Sequence, residues 1–234
     1  MKILMLHGSR QSGELFRAKI QGLEKLVKQA LGPAASKDTE FIYPTAPISR
    51  GDEDGASDLR GRHGSWTWLQ PETIDDFYPE INETLAYIAT VLKDSGPFDG
   101  IIGFSQGGAL AAMITSLLEE NRKDGFARAT EENALVYPAS FADLDHPPLR
   151  FFVSIAGYAA LHPAYRAFYE TPIQTPSLHL LGSMDTVVDE TASTTLSEKC
   201  ENSIVVWHPG GHTIPNGKRQ LIPIAHFIGS TLKA

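Results

Sequence analysis

Cysteine is nearly missing from this chain. Cys200 is the only one among 234 residues, so no internal disulfide can form and no thiolate-rich metal centre can be built. A bilayer-crossing run is missing too, since one needs roughly 18 or more consecutive apolar residues. The start, MKILMLHGSR, has a lysine and a short apolar run that stops at His7-Gly8. That is about five residues, short of the roughly 7–15 in an export signal, and it reads better as a first strand. Nor is there a basic patch. The 20 lysines and arginines are interspersed with 28 aspartates and glutamates, and the formal charge of −8 disfavours nucleic acid or an anionic membrane as partner. The cytosol is the expected location, with a nuclear or organellar one compatible with the same composition.

What is present suits one hydrophobic core. A 25.5 kDa chain with 42% hydrophobic residues fits a single domain spanning 1–234. Short apolar runs alternate with helical periodicity. Lys2 to Leu6 reads as a strand, and Phe16, Ile20, Leu23, Val27 and Ala30 share a helix face that should end near Gly32-Pro33. Further strands are expected at Glu40–Tyr43, within FDGIIGFS, and at Arg150–Ala156, Ser177–Leu181 and Ser203–Trp207. Helices are expected at 79–93, 105–118, 188–199 and 218–230. Such alternation predicts a mainly parallel sheet covered on both faces. Two stretches interrupt it, 51–70 and 119–150, and both are candidate pocket or lid insertions.

The chemistry starts at GFSQGG, residues 103–108, which joins an apolar strand to an alanine-rich helix. Gly103 and Gly107 permit a sharp strand-to-helix turn, and Ser105 then projects from its apex. The Gln106 N–H sits where it can meet an oxyanion. A phosphate-cradling loop is the competing reading, but the lysine and the dinucleotide glycine pattern are absent. A serine hydroxyl needs a base. His212, in WHPGGHTIP, is the leading candidate and His208 its rival; together they also suggest a metal pair, which lacks further ligands at suitable spacing. Asp185, in GSMDTVV, can orient the imidazole, while Asp189 can equally start the next helix. The order Ser105, Asp185, His212 is that of α/β-hydrolases.

With these motifs in place, the chain resembles the eukaryotic, especially fungal, family of serine hydrolases, whose members include relatives of yeast serine hydrolases and fungal polyketide-pathway thioesterases. ILMLHGSRQSGELF, GPFDGIIGFSQGGAL, GSMDTVV and HPGGHTIPN carry the resemblance across nearly the whole chain. It implies an α/β-hydrolase fold with a six-stranded sheet ordered about 2-1-3-4-5-6. It also implies Ser105 as nucleophile, Asp185 as acid and His212 as base, without metal or organic cofactor. The second oxyanion donor falls in LHGSR, with the Ser9 N–H preferred to that of Arg10.

Substrate is the least constrained element. Trp66 and Trp68 flank Thr67 and are candidates for the acyl pocket or for anchoring the loop to the core. Arg10, Phe104 and Tyr158 are further pocket candidates, and the latter two suit packing equally well. The resemblance implies a small-molecule ester or thioester, with a thioester on an acyl carrier protein as the alternative. A different class is a catalytically inactive hydrolase-fold binding protein.

Overall fold

All six strands of the main sheet run parallel in the computed structural model, which describes residues 1–50, 65–70, 77–120, 122–128 and 134–232. In chain order they are β1 (Lys2–Leu6), β2 (Glu40–Ile42), β5 (Gly100–Phe104), β6 (Phe151–Ile155), β7 (Ser177–Gly182) and β8 (Ser203–His208). Their spatial order, β2-β1-β5-β6-β7-β8, is the expected 2-1-3-4-5-6 of an α/β-hydrolase. The register pairs Leu6 with Gly103 and Phe104 with Ile155, so the ends of the central strands lie side by side. A small antiparallel pair, β3 (Ile48–Ser49) with β4 (Trp66–Thr67), was not expected; two residues per strand are too few to show an alternating pattern.

Strand period explains the two cores. Ile3, Met5, Ile102, Phe104, Val153 and Ile155 face helices α1 (Gly13–Lys37) and α7 (Lys218–Thr231). Leu4, Leu6, Ile101 and Phe152 point the other way, into a cluster completed by α2 (Ile81–Ser95), α3 (Gln106–Leu118) and α6 (Glu190–Glu198). Each fully buried Leu, Ile or Phe contributes about 1.5–3 kcal/mol by leaving water. Helix α3 is buried along its whole length, which its alanines and glycines allow by letting its backbone approach the sheet. Gly32, where α1 was expected to end, is a kink with φ of 81°, and the helix resumes to Lys37.

Segment 119–150 holds two short helices, α4 (Arg122–Arg128) and α5 (Ala139–Ala142). The anchors at its two ends lie at the edge of the sheet where the strands begin. The Glu119 carboxylate accepts from the N–H groups of Gln174 and Thr175, just before β7. The Arg122 guanidinium donates to the Thr171 carbonyl, and His146 Nε2 accepts from Phe98 N, just before β5. These ties hold the two ends of the segment beside the starts of β5 and β7. Of the other expected insertion, 51–64 lies outside the described residues. No helix among the described residues is long and apolar enough to cross a membrane.

Candidate active site

Parallel strands bring all their C-terminal ends to one edge, and the three reactive side chains come from loops there. Ser105 follows β5, Asp185 follows β7, and His212 follows β8. Ser105 has φ of 53° and ψ of −121°, a sparsely populated backbone for a residue with a Cβ. The conformation is held by Ser105 N–H donating to Ile155 O at 2.8 Å, and by Gly108 and Ala109 N–H donating back to Ser105 O. Gly107 is required by close approach: a Cβ there would lie 2.5 Å from the His7 carbonyl oxygen.

His212 Nε2 lies 2.8 Å from Ser105 Oγ, and its Nδ1 lies 2.7 Å from Asp185 Oδ2. An ionised carboxylate only accepts, so Nδ1 carries the proton and Nε2 is left with a lone pair facing the serine hydroxyl. The carboxylate is itself oriented: Oδ1 accepts from Val187 N at 2.9 Å and Val188 N at 3.0 Å. Burial pushes the Asp185 carboxyl up. The Val188 N–H, the His212 ring and the Val187 N–H outweigh it and hold the acid below its ordinary range. Phe104 packs its ring 5.1 Å from the imidazole, so this pocket candidate shields and backs the base.

The rival residues have other partners. His208 is buried, and its Nδ1 accepts from Gly210 N at 3.1 Å and sits 3.1 Å from Gln220 Nε2. It shapes the turn leading to His212. Asp189 caps α6, accepting from Ala192 N at 2.8 Å. The loops after β7 and β8 are laced together by Ser183 N to His208 O and Met184 N to Gly210 O. That lacing puts the acid and base motifs side by side although 27 residues separate them.

Gln106 opens α3, where helix-end N–H groups lack intrahelical acceptors and suit an anion. Ser9 lies in the loop between β1 and α1, followed by exposed Arg10 with φ of 59°. The other pocket candidates divide by depth. Trp66 is half-buried and bridges to Gln11. Trp68 has no exposed surface; its Nε1–H donates to His7 O at 2.9 Å and its ring centroid is 4.9 Å from that of His7. It anchors the loop to the core. Tyr158 is 3% exposed, packs with Ala109, Val188 and Ala192, and hydrogen-bonds Tyr78. Its ring supports α3 and the acid loop from beneath.

The family profile described as serine hydrolase (FSH1) matches residues 1–224. The chain belongs to this serine hydrolase family. Among its relatives is "Family of serine hydrolases 3" of Saccharomyces cerevisiae, 30% identical over 97% of this chain and 83% of that protein. A Schizosaccharomyces pombe protein named dihydrofolate reductase is 33% identical over 92% of this chain. The chain spans about half the length of two curated relatives it matches, 44% of that one and 50% of an uncharacterized hydrolase of the same yeast. Among solved structures, esterase PE8 aligns with a TM-score of 0.63 at 18% identity, covering 98% of this chain and 92% of that one. Acyl-protein thioesterase 2 of Zea mays aligns at 0.59 and 17%, covering 99% and 93%. At such identity these two share the fold.

Proposed function

We propose that this FSH1-family chain cleaves small carboxylic esters through an acyl-serine intermediate. The observation that carries the reading is the continuous hydrogen-bond path Asp185–His212–Ser105, with distances of 2.7 and 2.8 Å. His212 Nε2 takes the hydroxyl proton as Ser105 Oγ attacks the carbonyl carbon. The oxyanion that forms is received by the backbone N–H groups of Gln106 and Ser9. The C–O bond to the leaving alcohol then breaks as His212 returns the proton to that oxygen. Water, deprotonated by His212, attacks the acyl-serine and releases the acid, restoring the Ser105 hydroxyl. Asp185 stays ionised throughout and stabilises the imidazolium.

The test is a panel of short- and long-chain esters, free thioesters and carrier-bound thioesters, with Ser105→Ala as the blank. Ester turnover that vanishes in the variant is expected, together with fluorophosphonate labelling of the wild type alone. Turnover confined to carrier-bound thioesters would replace the ester reading by the thioesterase one. A wild type that neither turns over nor labels would leave a hydrolase-fold binding protein.

A further inference from the structure

The two expected oxyanion donors sit on separate elements, the loop after β1 and the start of α3, and a third element joins them. The Gln106 side chain turns away from the reacting centre. Its Oε1 accepts from Trp68 N at 2.8 Å and Leu69 N at 3.2 Å, and its Nε2 donates to Leu69 O at 2.9 Å. Two backbone donors on one atom fix which end of the amide is oxygen. Thr67 Oγ1 lies 2.7 Å from the same Oε1, 2.7 Å from Leu69 O and 3.3 Å from Ser9 Oγ. Both carbonyl oxygens only accept, so the Thr67 proton goes to them and the Ser9 hydroxyl is the neighbour able to donate to Thr67.

We propose that Thr67 is a positioning residue for the oxyanion hole, a cross-brace that sets the distance between the Ser9 and Gln106 backbones. This rests on the acyl-serine reading above. Thr67 is fully buried and touches no reacting atom. It acts because a preorganised hole loses effect when one of its donors drifts from the oxyanion position. The neighbouring contacts point the same way: Trp66 bridges to Gln11, and the Trp68 indole holds the His7 carbonyl, so three consecutive residues grip the loop that carries Ser9.

The experiment compares Thr67→Val, which keeps the shape and deletes the hydroxyl, with Thr67→Ser, which restores it. The Val variant leaves Gln106 Oε1 with its two backbone donors, so no buried acceptor is orphaned. Fluorophosphonate labelling of Ser105 reads the hole directly, because the phosphoryl oxygen must enter it. Loss of a complete donor costs roughly 10²–10³-fold, and a displaced one is expected to cost about tenfold. Thr67→Val should therefore label about tenfold more slowly. It should lose kcat to the same extent with KM held, and keep the wild-type pH midpoint because the Asp185–His212 pair is untouched. Thr67→Ser should stay within about twofold of wild type. Labelling of Thr67→Val at the wild-type rate overturns the proposal even if the variant melts earlier. Should that variant fail to fold, Ser9→Ala cuts the same brace at its half-buried end, and unchanged labelling there overturns it equally. A wild type that does not label at all overturns the acyl-serine reading itself.

Discussion

Replacing Asp185 by Asn changes one atom and, through the hydrogen bonds around it, the tautomer of the base. In the native site Oδ1 accepts from two backbone N–H groups, those of Val187 and Val188, while Oδ2 accepts from His212 Nδ1. An asparagine must keep its oxygen on the two backbone donors, since turning its NH₂ toward them would set donors against donors around a side chain that is only 5% exposed. The NH₂ then faces His212 Nδ1, which must become an acceptor. The imidazole proton moves to Nε2, and a protonated Nε2 cannot take the proton of Ser105 lying 2.8 Å away. The same tautomer inversion in a serine protease triad lowers kcat about 10⁴-fold, or about 5 kcal/mol at 1.36 kcal/mol per decade. The assay is steady-state hydrolysis of a short-chain chromogenic ester by Asp185→Asn, with intact folding checked by its melting temperature. A variant that keeps kcat within tenfold of the wild type, with fold intact, would show that the hydrogen-bond path does not carry the proton and would sink the reasoning.

Three other perturbations separate structure from chemistry. Asp189→Ala removes the cap of α6 and is expected to cost about 1 kcal/mol in denaturant unfolding while leaving kcat untouched. Gly107→Ala drives a Cβ into the carbonyls of Leu6 and His7, backbone atoms locked in the sheet. Stability should fall by about 3 kcal/mol, with ester activity lost as the elbow is forced off β1. Acid should destabilise the fold through His7 and His179, which burial pushes down to about 4 from an ordinary 6.5, with the Gly8 carbonyl opposing the shift at His7. The unfolded chain binds these two protons first, so their contribution is complete above pH 6.5 and drains away as pH falls to about 4, at about 3 kcal/mol each. Thermal melts across that window should show a steep fall that becomes shallower in His179→Leu, and a flat profile would refute the assignment.

The strands and the motifs at their ends could be read from the chain because both are local signals, whereas the order of the strands in the sheet was implied only by the family resemblance. A parallel strand buried on both faces must be apolar along its length, and GIIGF and FFVSI announce themselves that way. Gly32-Pro33, expected to end α1, kinks it instead, and the four residues after it still find enough local bonding to close another turn. The anchoring of segment 119–150 was not legible because a polar, charged stretch looks solvent-facing. Arg122 and Glu119 satisfy each other and the backbone around Thr171–Thr175 at the start of β7, a partnership between residues about 50 apart that no local pattern encodes.

The WTW tripeptide shows what alternation does and does not tell. Alternation puts Trp66 and Thr67 on opposite sides of β4, which ends at Thr67, and that much is a property of the backbone. Which side meets substrate is decided by what lies opposite, and opposite Thr67 is the amide of Gln106, 39 residues away. A threonine between two tryptophans therefore drew less notice than its neighbours, although its hydroxyl is the atom that reaches toward the catalytic elbow. Depth separates the two tryptophans as well: the indole of Trp68 is fully buried and holds the His7 carbonyl, which fixes the loop. In a hydrolase whose reacting groups are held by loops, short polar side chains that tie one loop to the next can matter to the rate as much as the aromatic surface around them.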